Sequence, residues 1–153
     1  MARSLRIGIA LAMLLALTIG VASNTAAGGR KVLDATMTGL PVPGTVIAGI
    51  TGAGAPWVID EGRAQLFADG RIHVDVEGLV IPGRVPPLPP NPVDFGKAVV
   101  SCNGVFADDT DLVPFSDEGN ATVDDVVTLP SPCQGVTVFF TSPSGAWFAV
   151  TGF

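Results

Sequence analysis

Glycine and proline punctuate this chain so densely that a long helix has nowhere to run. Nineteen Gly and thirteen Pro are spread over 153 residues. In a helix interior each Gly costs about 1 kcal/mol and each Pro about 3 kcal/mol relative to Ala. Beyond residue 27, no set of apolar residues at i, i+3, i+4, i+7 lasts longer than a turn. What remains is a series of short alternating runs bounded by turn residues, the pattern of a sandwich or barrel. The candidate strands are 31–38, 45–51, 57–67 with a possible break at Gly62, 71–80, 97–102, 121–129, 136–141 and 146–153. The expected fold is therefore all-β: a single antiparallel β-sandwich or barrel-like domain of about eight strands.

Residues 62–80 give the sharpest local reading. Ile72, Val74, Val76 and Val80 alternate with Arg71, His73, Asp75 and Glu77, so one face is buried and the other wet. A two-residue Asp69-Gly70 turn would set Gln65 beside Val74 and mix the faces. A three-residue loop, with Gly70 in the left-handed position of a bulge, instead pairs Leu66 with Ile72 and Ala64 with Val74. It also sets Arg63 opposite Asp75 and Gln65 opposite His73. A slip of one residue would turn every side chain to the wrong face, so the second register is expected.

The C-terminal runs 136–141 and 146–153 flank Ser142-Pro-Ser-Gly145, a turn with Pro preset and Gly permissive. Both runs are apolar on both faces, which predicts central positions in the sheet. Six prolines fall between residues 82 and 92 of a crossover loop, and Pro86-Pro-Leu-Pro-Pro-Asn-Pro92 reads as extended, polyproline-II-like and outside any sheet. Residues 106–119 read as a second long loop.

The N-terminus carries an export signal. Met1-Ala-Arg-Ser-Leu-Arg6 is basic, residues 7–22 are apolar and uncharged, and small residues follow in Gly20-Val-Ala22 and Thr25-Ala-Ala27. This is the layout of a secretory signal peptide. The apolar run is short for a spanning helix, which needs about 20 residues. Residues 1–27 are the expected signal peptide, cut between about 22 and 27, and 28–153 the secreted β domain, free of the membrane after cleavage; the alternative is a segment kept as an N-terminal anchor. The expected location is secreted or extracytoplasmic, at the cell surface or in a periplasm. Arg3 and Arg6 leave with the leader. The remainder sets Arg30, Lys31, Arg63, Arg71, Arg84 and Lys97 against fourteen Asp and Glu, a net charge of −8. Such a surface has no electrostatic route to a phosphate backbone, which argues against nucleic acid and anionic membrane as partners.

Cys102 and Cys133 both lie in the exported part, where an even pair reads as a disulfide. Closing the loop between them is worth roughly 3.5–4 kcal/mol by chain entropy. That is a large share of the 5–15 kcal/mol typical of a domain.

Few residues could carry catalysis. The chain has one His and no Tyr, too little for a His-based transition-metal site. His73 and Asp75 stand two apart on an exposed strand face, and no Ser lies in a Gly-x-Ser-x-Gly elbow. No cofactor is expected. Asp108, Asp109, Asp111, Asp117 and Glu118 crowd the 106–119 loop, with Asp124 and Asp125 close behind. Calcium takes six to eight oxygen ligands and suits flexible acidic loops, so these five are calcium candidates. The EF-hand spacing is absent, because Asp109-Thr-Asp111 runs into Leu-Val-Pro, and a solvated acidic loop is the simpler reading. Asn120-Ala-Thr122 matches a glycosylation sequon.

Residues 62–79, Val99-Val-Ser-Cys102, Leu129-Pro-Ser-Pro-Cys133 and Thr141-Ser-Pro-Ser-Gly-Ala-Trp147 together resemble a group of uncharacterised secreted bacterial β proteins. The strand-turn-strand that ends in Gly78-Leu79 is also similar to the CHRD domain, an extracellular β module. The His-containing motif of that domain is replaced here by Val80-Ile-Pro-Gly83. Neither resemblance brings a functional residue with it. The expected role is non-enzymatic: a binding or structural module meeting an unknown protein or cell-envelope partner through the 106–119 and 82–92 loops. The rival is a small secreted hydrolase using loop carboxylates, with calcium in support.

Overall fold

The computed structural model describes residues 29–152; the expected signal peptide lies outside them. Eleven strands are described: β1 Lys31–Gly39, β2 Val46–Ile47, β3 Ile50–Thr51, β4 Glu61–Phe67, β5 Arg71–Glu77, β6 Phe95–Cys102, β7 Val105–Asp109, β8 Val113–Pro114, β9 Ala121–Val126, β10 Thr137–Thr141 and β11 Trp147–Thr151. No helix occurs among the described residues, and none is therefore long and apolar enough to cross a membrane.

The main sheet is antiparallel and curls into a half-barrel in the order β7-β6-β10-β11-β1-β4-β5-β9, with β8 pairing β6. The strand β1 joins two halves of this sheet. Its residues 31–36 pair with β4, and residues 37–39 pair with β11. β2 and β3 form a separate small hairpin, so the run 45–51 is folded back on itself at Ala48-Gly49 rather than being one strand. This hairpin lies against β11: Gly52 bridges Trp147, and Trp147 Nε1 donates to the carbonyl of Thr45 at 3.0 Å.

The 62–80 register forms as expected. Leu66 faces Ile72, Ala64 faces Val74, Arg63 faces Asp75 and Gln65 faces His73. Gly70 stands at φ +91°, and a Cβ there would meet the carbonyl oxygen of Val127 at 2.0 Å. Only glycine fits this turn, which is pinned at the same time to the segment after β9. Gly62 lies inside β4 and does not break it, whereas residues 57–60 precede the strand.

Strands β10 and β11 hold central positions, and nearly every residue in them is buried. The core includes an aromatic cluster of Trp57, Phe115, Phe140 and Phe148. The Trp57 and Phe148 rings lie 4.2 Å apart, and Phe115 meets Phe140 edge-to-face at 5.0 Å. Such pairs add about 0.5–1.5 kcal/mol each beyond their burial.

Two expected loops are more structured than the sequence suggests. Residues 82–92 do not extend: Leu88 N donates to Val85 O, Arg84 Nε to Pro89 O and Ile81 N to Pro90 O, so the segment doubles back as compact turns. Asn91 anchors its end. Nδ2 donates to the carbonyls of Val93 and Ser116, each at 2.8 Å, Oδ1 accepts from Val93 N, and the backbone N–H bonds Asp117 O. A polyproline spacing fixes φ but leaves the path of the chain to such anchors. The second loop, 106–119, contains β7 and β8, and its Phe115 enters the core. The strand after it ends at Val126 rather than residue 129.

The hairpin β6–β7 turns on Asn103-Gly104, at φ +57° and +78°. Two positive φ values in a two-residue loop define a type I′ turn, for which Asn-Gly is the preferred pair. The tip is bound to residues 132–134 twice over. Cys102 and Cys133 form a disulfide with their Cα atoms 5.0 Å apart. Asn103 Nδ2 donates to Pro132 O, its Oδ1 accepts from Gln134 N, and its N–H bonds Gln134 O. Replacing both cysteines by Ser is expected to lower stability by up to about 3–4 kcal/mol. Hydrogen exchange should rise first in 103–109 and 127–134, before the β4–β5 hairpin. Adding Asn103→Gly, which keeps the positive φ, should cost about 1–2 kcal/mol more. Equal loss of protection in both regions would show the staple to be global.

Candidate functional site

The acidic residues are distributed along a seam and a separate turn. β7 and β9 are the two edges of the curled sheet, and carboxylates span the gap between them in both directions. Asp108, on β7, accepts from Thr128 N at 2.7 Å with Oδ2 and from Asp109 N at 3.0 Å with Oδ1. Asp125, on β9, accepts from Asp111 N at 2.9 Å with Oδ2 and from Val126 N at 2.7 Å with Oδ1. Each carboxylate thus satisfies two backbone donors at or just beyond a strand end. Asp109 binds Lys97 Nζ at 2.5 Å. Asp117 and Glu118 lie beyond Phe115 in an exposed turn closed by Gly119 N to Ser116 O and Ser116 N to Asn120 O. The five calcium candidates Asp108, Asp109, Asp111, Asp117 and Glu118 therefore divide into two groups. Among the described residues, no three His, Cys, Asp or Glu side chains come together in an arrangement that could hold a metal ion.

His73 lies on the solvent face of β5, and its Nδ1 meets Asp124 Oδ1 at 2.6 Å. Asp75 is engaged elsewhere, accepting from the Thr122 hydroxyl at 2.6 Å. His73 and Asp75 thus have different partners, both on β9, and among the described residues no hydroxyl bonds the imidazole. Further along this face Asp34 accepts from Lys31 Nζ at 2.8 Å and from Arg63. These hydrogen bonds, Lys31 first, hold its carboxyl down at about 2. Asn120 Oδ1 accepts from Gly78 N, which ties the sequon turn to the end of β5.

Two shallow grooves meet at β7. One, of about 480 Å³, lies between the β2–β3 hairpin, the 144–146 turn and the face of β6–β7 that carries Lys97, Val99, Phe106 and Asp109. Pairing of Val99 with Asp109 and of Ser101 with Phe106 sets these side chains on one face. The other, of about 500 Å³, runs along the outer edge of β7 and is walled by Thr128, Leu129 and Pro130. Phe106 lines both grooves and is 56 % exposed, with Val105 beside it at 62 %. Both Trp side chains are buried, so neither offers a flat exposed platform. Phe106 and Asn91 belong to the two loops expected to carry recognition, whereas Asn103 lies outside both, and the Asn103-Gly104 pair between two β-prone runs is its sequence signal. Comparison with protein-family models, with curated proteins and with solved structures finds no match to this chain.

Proposed function

We propose that this chain is a non-enzymatic binding or structural module, exported and acting at or outside the cell surface, with its contact at the two grooves around Phe106. The observation that carries the reading is the exposure of Val105 and Phe106 on an edge strand. Edge strands are ordinarily blunted by charge, Pro or cover, and exposed apolar side chains rimmed by polar groups mark interaction sites. The Cys102–Cys133 bond is compatible with an oxidising compartment. The resemblance to secreted bacterial β proteins points the same way.

A thermal-shift panel on the purified full chain tests this, with envelope polysaccharides, peptides, calcium and EDTA. A component that binds the folded form raises Tm, and Phe106→Ala should reduce that rise. EDTA is expected to leave Tm unchanged, because Asp108, Asp109 and Asp125 already have partners in the protein. Hydrolysis of an envelope polymer that disappears with Asp109→Asn or Asp111→Asn would overturn the reading in favour of a hydrolase.

A further inference from the structure

Of the two grooves around Phe106, the one along the outer edge of β7 is strapped at both ends. Asn103 and the Cys102–Cys133 bond hold residues 132–134 at the tip, and Asp108 holds Thr128 at the far end. The groove on the sheet face has no such strap. Three separate elements build it: the β2–β3 hairpin, the turn between β10 and β11, and the β6–β7 pair. Its volume of about 480 Å³ falls within the range of small-molecule sites, roughly 300–1,000 Å³. Its floor is a sheet face on which β6 and β7 pair with each other, so it presents no free backbone edge to capture a peptide as an added strand.

The chemistry of the lining narrows what can enter. Among the described residues, Lys97 and Asp109 are the charged side chains that line this groove, and they pair with each other at 2.5 Å. The lining therefore carries no net charge, and an ionic ligand would have to compete with a pair already formed. That pair still has hydrogen-bonding capacity. A lysine ammonium has three donors and a carboxylate about four lone-pair sites, and the contact between them uses one of each. Spare donors and acceptors side by side suit vicinal hydroxyls, since each hydroxyl both donates and accepts. Thr51 and Ser144 add hydroxyls of their own to the lining. Phe106, 56 % exposed, supplies a ring on the same face as Asp109. The face of such a ring is electron-rich and attracts the polarised C–H bonds on one side of a pyranose. We infer that this groove holds a neutral saccharide unit, its C–H face against Phe106 and neighbouring hydroxyls at Lys97 Nζ and the Asp109 carboxylate. This rests on the binding-module reading and names the class of ligand.

The test titrates the purified full chain, labelled for amide NMR, with neutral tetrasaccharides of glucose, of mannose and of N-acetylglucosamine, and with tetragalacturonate as the anionic counterpart. The expected result is that at least one neutral tetrasaccharide shifts the amides of Thr51, Lys97, Phe106 and Asp109, with an affinity that does not change as salt rises. Tetragalacturonate should bind about tenfold more weakly. Phe106→Leu keeps an apolar side chain but removes the flat ring, and should weaken binding about tenfold. Phe106→Trp should bind at least as tightly as the wild type. Both variants should keep Tm near the wild-type value, because the position is exposed. Undiminished binding by Phe106→Leu would overturn the stacking, and equal binding of tetragalacturonate would overturn selection for a neutral ligand. If no neutral tetrasaccharide shifts the groove, the inference falls. A rise of Tm with a peptide that Phe106→Ala reduces would then leave the binding-module reading standing, and its absence would remove both.

Discussion

Replacing Phe115 by Ala is expected to destabilise the domain by about 3–5 kcal/mol, the cost typical of removing a buried aromatic ring. Phe115 is 3 % exposed and contacts three other rings: Phe140 at 5.0 Å, Phe148 at 6.1 Å and Trp57 at 6.2 Å. Its backbone is fixed from outside the cluster, since its N–H bonds the carbonyl of Asp94 at 2.8 Å. The surroundings therefore cannot collapse easily into the space the ring leaves. Urea unfolding followed by tryptophan fluorescence measures the effect, because Trp57 reports on the cluster directly. Phe106→Ala serves as the reference: an exposed position away from such features should change stability by no more than about 0.5 kcal/mol. Equal losses for the two substitutions would show that Phe115 is not part of a packed core.

Asn91→Ala is expected to cost about 2–4 kcal/mol, because several backbone groups lose their partner at once. The side chain is 1 % exposed, and both of its amide hydrogens and its oxygen are matched: Val93 O, Ser116 O and Val93 N. Asn91→Asp should be at least as damaging at neutral pH. The substitution puts a carboxylate oxygen where the amide nitrogen faced two carbonyls, and no cation stands among those partners. Acidification should recover part of that loss as the carboxyl becomes neutral and regains a donor, which a pH series of urea midpoints would read. Because Asn91 fixes the segment that carries Phe115, the two substitutions should also be non-additive. A double variant whose loss equals the sum of the single ones would separate the loop anchor from the core.

The parts of the fold legible in the sequence are those where one face is buried and the other wet. The β4–β5 hairpin is the clearest case, because alternation across seven residues on each side leaves one workable register. β10 and β11 were legible for the opposite reason: a short run that is apolar on both faces must be central. Strand β7 does not alternate. Val105-Phe106-Ala107 is followed by two acids, and a bulge interrupts its pairing with β6, so composition alone reads as loop. Its one sequence signal was the Asn103-Gly104 turn. Phe115 was hidden in the same acidic stretch, and its burial depends on Asn91, a polar residue whose partners are fixed only by the folded chain. The acidic cluster was visible as a composition bias. Which carboxylate reaches which amide across the seam depends on two edges brought together from separate parts of the chain.

The shared strand β1 also sets a timetable. Its last residues pair with β11, roughly 110 positions later in the chain, so the two halves of the sheet cannot be joined before β11 has been made. Pairings this distant in sequence must overcome loop-closure entropy before they stabilise anything, and they slow folding. Residues 31–36 can meet β4 early, and only residues 37–39 of the first described strand are among the last to be secured. The two halves of the sheet therefore stay unjoined until β11 is available.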